Sequence, residues 1–156
     1  IFLQENDISE MEKLQQKAQQ AKDDFNNLSS RIQTIDARLK DISALQKHIG
    51  IYSKTREVYA GYRKAGYSKK HLAEHEDSIN AHKAAKKYFD SLGLKKLPTI
   101  KTLQTEYATL SAEKKKLYGE YHPARKYMQD ILTAKQNAEQ LLNYRETEKT
   151  KESERI

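Results

Sequence analysis

The sequence contains no cysteine and no tryptophan, and it has only 2 prolines and 5 glycines among its 156 residues. Without cysteine there is no disulfide framework and no thiolate chemistry. So few helix breakers predict few turns and therefore long elements of secondary structure. No apolar run approaches the roughly 18 residues of a membrane span, and no signal peptide is recognisable. We expect a cytoplasmic protein without a membrane partner, and the start at Ile1 leads us to expect a fragment of a larger protein.

The charge of the chain is concentrated in its middle third. Hydrophobic residues make up 37% and charged residues 33%, a balance that favours an elongated helical protein over a compact globule. The formal net charge is +7, of which residues 1–49 contribute −1, residues 50–98 contribute +6 and residues 99–156 contribute +2. A localised basic surface indicates a polyanionic ligand or an acidic partner protein.

The first third has an apolar stripe that predicts a coiled-coil helix over residues 8–49. Its spacing alternates between three and four residues, with only Gln46 interrupting it, as in a heptad seam. Ser9 and Glu12 resemble a capping box at its start, and Gly50 supplies a predicted stop. The stripe consists of Met11, Leu14, Ala18, Ala21, Phe25, Leu28, Ile32, Ile35, Leu39, Ile42 and Ile49.

The last third repeats this pattern and predicts a second coiled-coil helix over residues 99–145. Thr99 follows Pro98 and is the expected N-cap. Gly119 and Pro123 lie inside the apolar run, so we predict a kink or short break near residues 119–123. Residues 146–156 have no apolar face and are expected to fray. The stripe consists of Ile100, Leu103, Tyr107, Leu110, Leu117, Tyr121, Ala124, Met128, Ile131, Ala138 and Leu142.

Together these patterns predict an all-α fold, with a long antiparallel coiled-coil hairpin and a small basic helical tip subdomain. Each arm would measure roughly 60 Å at 1.5 Å per residue. The tip, residues 50–98, is predicted as one helix over about 54–65 and a second over about 68–91, capped by Ser68. We expect a single elongated domain. An intermolecular coiled coil, and therefore a homodimer, is the alternative to the hairpin.

The second predicted tip helix carries three histidines, His71, His75 and His82. On a helical wheel they share the apolar face. His71 and His75 have the i, i+4 spacing that can chelate zinc, but His82 lies about 10 Å further along the axis and cannot join the same ion. The alternative is that the imidazoles pack inside the tip and form hydrogen bonds with tyrosine hydroxyls. We favour packing and predict no metal site.

The cations of the tip are the candidate nucleic-acid-binding residues. A cluster of mobile cations suits the phosphate backbone, and interleaved tyrosines could stack on unpaired bases. A solvated helix face and a surface for an acidic protein are the alternatives, and no motif for base-specific readout is present. The predicted residues are Arg56, Arg63, Lys64, Lys69, Lys70, Lys83, Lys86, Lys87, Lys95 and Lys96.

Motifs for catalysis and for cofactors are absent from the sequence. It contains no Gly-rich phosphate loop and no HExxH zinc motif, and no triad or pair of carboxylates can be argued in so helical a chain. Ser68 near His71 is interpreted as a helix cap and not as a nucleophile. We therefore expect no catalytic residue, no cofactor and no enzymatic activity in this segment.

Four segments of the chain are YRKAGYSKK, AEHE, HKAAKK and LGLKKLPTIKTLQTEYATL. These segments resemble the C-terminal region of relaxases, the mobilisation nucleases of conjugative plasmids and integrative elements of Gram-positive bacteria. The similar region covers roughly residues 45–140. Relaxases nick one DNA strand with a tyrosine nucleophile and a metal held by histidines on a strand. No residue of this chain matches that nucleophile motif, and its histidines lie on a predicted helix.

The resemblance implies a non-catalytic, helical module that follows the nuclease domain of a relaxase. Its expected partners are DNA, held by non-specific backbone contacts, and the relaxosome or the type IV coupling protein. The alternative from another functional class is a structural coiled-coil spacer or dimerisation module that does not contact nucleic acid.

Overall fold

Four helices make up the part of the chain that the computed structural model describes, namely the backbone of residues 2–155 and the side chains of residues 7–154. They are α1 (Phe2–Lys64), α2 (Lys69–Glu74), α3 (Glu76–Ser91) and α4 (Ile100–Arg155). No strand occurs in this described part, which confirms the predicted all-α class. The chain divides into two compact units, and α1 and α4 contribute residues to both.

The first unit comprises residues 1–34 and 113–156. Its described contacts join α1 to α4 at three places. Asp7 and Arg145 form an ion pair at 3.1 Å, the rings of Phe25 and Tyr121 lie 5.0 Å apart, and Arg31 approaches Glu113 to 3.7 Å. The residue numbers of the partners on α4 decrease as those of the partners on α1 increase. The buried apolar side chains among the described residues of this unit are Ala18, Ala21, Ile32 and Leu117.

The second unit comprises residues 35–112 and holds a three-helix core. Ile42, Leu45 and Ile49 of α1 meet Ala85 and Phe89 of α3, and Leu103 of α4 completes the cluster. Full burial of a side chain such as Ile42, which has no exposed surface, stabilises the fold by about 1.5–3 kcal/mol. A forked ion pair, from Arg38 Nε and Nη2 to the two carboxylate oxygens of Glu106 at 2.6 and 3.0 Å, joins α1 to α4 beside this core.

The predicted end of the first helix at Gly50 is wrong, because Gly50 lies inside α1. The separate tip helix predicted over about 54–65 is the last part of the same α1, which also begins before residue 8. The physical reason is an apolar stripe that continues beyond Gly50 at spacings of three and four residues. Leu45, next to the predicted exception Gln46, occupies the buried position of the stripe. The stripe then continues through Ile49, Tyr52, Thr55, Tyr59 and Tyr62.

The second predicted tip helix is divided into α2 and α3 at His75. The backbone of His75 leaves the helical region, with φ −129° and ψ 29°. Its carbonyl still accepts the first hydrogen bond of α3, from Ile79 N at 2.9 Å. Two predicted caps are confirmed: the Ser68 side chain accepts a hydrogen bond from His71 N, and Thr99 Oγ1 accepts one from Thr102 N at 3.1 Å. The predicted capping box of Ser9 and Glu12 is wrong, because both residues lie inside α1.

The last helix passes through the region where a kink or break near residues 119–123 was predicted. Every residue of α4 from Ile100 to Arg155 is helical, so a break is absent, although Pro123 lies inside it. Whether the helix bends there stays a prediction. α4 is helical as far as Arg155, and the fraying of residues 146–156 stays a prediction. In this last segment Thr147 and Thr150 donate to the carbonyls of Asn143 and Glu146.

Gly50→Ala should raise the free energy of unfolding by about 0.5–1 kcal/mol, because alanine favours a helix interior. A Cβ at Gly50 would meet no heavy atom within 4 Å, whereas a Cβ at Gly61 would lie 3.4 Å from the His71 ring. Gly61→Ala should therefore gain less. Urea denaturation followed by circular dichroism measures both variants, and a less stable Gly50→Ala protein would show that the chain does not continue as a helix at this position.

Candidate nucleic-acid interface

The whole net charge of the protein lies in the second unit. Residues 35–112 contain 15 basic and 8 acidic residues, a net charge of +7, whereas the first unit contains 14 of each sign. The two units therefore differ in what they attract. The first is electrically balanced, and the second carries a field that draws polyanions towards it.

All ten cations that the sequence analysis selected are exposed, and they come from several elements of the second unit. None of the ten forms an ion pair with a described carboxylate, in contrast to Arg38, which is bound to Glu106. Arg56, Arg63 and Lys64 belong to α1, Lys69 and Lys70 to α2, Lys83, Lys86 and Lys87 to α3, and Lys95 and Lys96 to the segment before α4. Their charges are therefore not neutralised within the unit.

One contact links the cations of α3 to those of α1. The Lys83 ammonium lies 5.4 Å from the centre of the Tyr62 ring, in a cation–π contact. Tyr62 is itself buried and lies one residue before Arg63 and two before Lys64. The structure thus brings Lys83 to the end of α1 that carries these two cations.

His82 is the centre of a cluster of histidine and tyrosine rings in the second unit. Its side chain is only 3% exposed, and its imidazole stacks on the phenol rings of Tyr52 and Tyr59 at centroid distances of 4.4 and 4.5 Å. Both tyrosines belong to α1, so the imidazole holds α3 against that helix. The prediction that this histidine packs inside the unit agrees with these contacts.

The hydrogen-bond partner of His82 is Thr55 and not a tyrosine hydroxyl. Thr55 Oγ1 lies 2.9 Å from His82 Nδ1 and 2.7 Å from the carbonyl oxygen of Ile51. Since that carbonyl can only accept, the threonine proton points to it, and Thr55 Oγ1 accepts a bond from His82 Nδ1–H. This arrangement places a proton on Nδ1, so the neutral form of the ring is the Nδ1–H tautomer. A threonine in an aromatic stripe was not recognised as a partner from the sequence.

The pKa of His82 lies below the ordinary value for histidine, because burial penalises the imidazolium. The ammonium of Lys86 lowers the pKa further, and a hydrogen bond with the backbone of Tyr52 opposes the shift in part. The folded protein therefore favours the neutral ring.

His71 and His75 lie close together but in different settings. Their ring centres are 4.8 Å apart, and His75 is exposed, whereas the His71 ring packs over Gly61 and near Tyr62. His71 Nε2 is buried without a hydrogen-bond partner. Gly61 leaves room for this ring, since a side chain there would touch it. Within the described residues there is no group of three or more histidines and acids that could hold a metal ion.

A fourth histidine, His48, belongs to the same cluster and was missed in the sequence. Its ring stacks on Tyr88 of α3 at 4.0 Å and meets the edge of Phe89 at 6.5 Å. Its spacing of four residues from Tyr52 places both rings on one side of α1. That spacing was the available signal, but only the position of α3 shows that this side is covered.

Comparisons of the chain with known protein families, with curated proteins and with solved structures found no match. Among the described residues, none of the helices is both long enough and apolar enough to cross a membrane.

The stability of the protein should fall as the pH is lowered from about 8 to 5, through the ordinary pKa of histidine near 6.5. Because the pKa of His82 is lowered on folding, the unfolded chain takes up the proton first, so stability is greatest above the unfolded value and decreases below it. His82→Asn keeps an N–H donor for Thr55 but cannot titrate, and should flatten this pH dependence in urea denaturation. The exposed His75→Asn is the control and should leave it intact; an equal slope in the His82→Asn and His75→Asn proteins would contradict the assignment.

Proposed function

We propose that this protein is a non-catalytic module of a conjugative relaxase that holds DNA through its phosphate backbone. The observation that carries the proposal is the set of ten exposed cations, none paired with a described carboxylate, in the unit that contains the entire net charge. The segments that resemble the C-terminal region of relaxases support the conjugative context, and all four of them lie in this unit.

The chemistry of the second unit suits phosphate contacts better than base readout. Eight of the ten cations are lysines, which act as mobile point charges and can follow a backbone without a fixed geometry. Each phosphate that they neutralise releases condensed counterions, so the binding should weaken steeply as salt is raised. Docking of an acidic surface of the relaxosome or of the type IV coupling protein would use the same charges.

We propose that the facing parts of α1 and α4 in each unit pair as an antiparallel coiled coil. The opposite numbering of their contacts within the first unit, from Asp7 with Arg145 to Arg31 with Glu113, supports this pairing. In the second unit the Arg38–Glu106 ion pair joins α1 to α4.

A structural or dimerisation module is the second candidate function, and the first unit provides the observation that favours it. The apolar stripe of α4 in that unit is only half covered. Leu117 is buried, but Tyr121, Ala124, Met128, Ile131, Ala138 and Leu142 all remain partly exposed. A second copy of the chain could cover this stripe in a helical bundle.

Changing Lys83, Lys86 and Lys87 together to glutamate should abolish binding to DNA oligonucleotides, because the reversal of three charges on one helix lowers the net charge of the second unit from +7 to +1. Fluorescence anisotropy at several salt concentrations measures the affinity. The matched control changes Lys115, Lys116 and Lys126, which are exposed in the first unit, to glutamate. This control makes the same change in net charge and should bind much more tightly than the α3 variant. Equal affinities of the two variants would show that the second unit is not the binding surface.

Light scattering should give a mass close to the monomer value of 18.1 kDa if α1 pairs with α4 of the same chain. A mass twice as large would favour the dimerisation module. Leu28→Glu and Ile32→Glu, both on the stripe of α1 in the first unit, would then separate the two copies.

A further inference from the structure

The turn that ends α1 is built as a Schellman motif and presents an aromatic ring after it. Tyr67 N donates to the carbonyl of Tyr62 at 3.0 Å, and Gly66 N donates to the carbonyl of Arg63 at 3.1 Å. Gly66 has a φ of 65°, as this motif requires at its glycine position. Two hydrogen bonds therefore determine where the backbone of Tyr67 lies.

Tyr67 combines exposure with an unfavourable backbone conformation. It has a φ of 59° and is the one non-glycine residue with a positive φ in the described part of the chain. A bulky residue in this region costs about 1–2 kcal/mol. Its side chain is nevertheless 55% exposed, and it meets the protein through an edge contact with Tyr62 at 5.2 Å. The contact with Tyr62 explains an apolar residue at this position, but it does not explain a large ring that is left half exposed.

Cationic residues flank Tyr67 in the sequence on both its N-terminal and its C-terminal side. Arg63 and Lys64 precede it, Lys69 and Lys70 follow it, and the sequence has no acidic residue between Glu57 and Glu74. The Lys83 ammonium over Tyr62 adds a cation from α3 beside the ring that Tyr67 contacts. A phosphate backbone drawn to these charges would bring its bases to an exposed aromatic surface.

We propose that Tyr67 is a stacking platform for an unpaired base, and that the ligand of the second unit is therefore single-stranded DNA. This inference rests on the proposed binding of DNA by the same unit. Bases in a duplex are stacked on one another and cannot accept the ring, whereas every base of a single strand has a free face. The cations hold the backbone, and Tyr67 distinguishes single strands from duplexes.

The structural role of Tyr67 in the Schellman motif can be separated from stacking. The motif uses an apolar contact between its last residue and the residue five positions earlier, here Tyr62. Tyr67→Leu keeps an apolar side chain for that contact but removes the aromatic face. Tyr67→Phe keeps both and removes only the hydroxyl group. Equal melting temperatures of these variants would establish that they are folded alike.

The decisive experiment compares three ligands of equal length. Each is about 20 nucleotides long, which is enough to fill a binding site that covers several nucleotides. They are oligo(dT), the same strand with abasic sites in place of the bases, and a duplex. Tyr67→Leu should weaken binding of oligo(dT) about fivefold or more, the effect of one lost stacking contact. It should leave the abasic strand and the duplex unchanged, because these ligands offer phosphates but no free base. Tyr67→Phe should bind oligo(dT) like the original protein.

A fluorescent probe tests the contact directly, since the chain contains no tryptophan. Tyr67→Trp places a single indole at the proposed platform, and oligo(dT) should quench its emission while the abasic strand should not. Tyr144→Trp is the control, because Tyr144 is 64% exposed in the electrically balanced first unit. Its emission should stay unchanged with either strand.

The outcomes separate this inference from the function on which it rests. If Tyr67→Leu binds oligo(dT) as tightly as the original protein while the α3 glutamate variant loses all binding, DNA is held by charge alone and the platform is refuted. An equal loss for oligo(dT) and for the abasic strand would also refute it. If the α3 glutamate variant still binds DNA, it is the proposed function itself that fails.

Discussion

The packing of α3 against α1 is the interaction on which the second unit depends. Phe89 and Ala85 enter the core formed by Ile42 and its neighbours, and His82 continues the same contact between two tyrosine rings. Because α3 buries one face in this way, its lysines are left on exposed positions of the helix. The basic surface is thus a consequence of the core. Along α3, the buried side chains of the core therefore alternate with the exposed lysines that are proposed to bind DNA.

Electrostatics explains why the His82 imidazole is neutral within a basic unit. The unit carries a net charge of +7, and Lys86 lies near His82. A proton on this ring would add a buried charge among like charges, with two phenol rings covering it. Thr55 accepts from Nδ1–H and so fixes which nitrogen carries the proton when the ring is neutral. Protonation of His82 should therefore weaken the packing of α3 on α1. His75 belongs to the same unit but is exposed and does not stack on these tyrosine rings.

Particular residues show how far local patterns could predict this fold. The heptad stripes indicated the long helices correctly, and Ser68 and Thr99 were recognisable caps because capping is a local interaction. Gly50 was misread as a stop, since a glycine weakens a helix only by about 1 kcal/mol, which the packing of a long stripe outweighs. The break at His75 was also not visible, because it depends on where α2 and α3 pack.

What the sequence determined by itself is the helical class, the location of the charge and the identity of the ten exposed cations, because composition and the spacing of apolar residues follow directly from the chain. The tertiary structure decided which rings meet: His82 lies between Tyr52 and Tyr59 and binds Thr55, and Tyr67 is presented beyond α1. These contacts join residues distant in sequence or depend on one backbone dihedral angle. No periodic pattern specifies the contacts of His82, since they arise only when α3 packs against α1, whereas the position of Tyr67 follows from the local turn at Gly66.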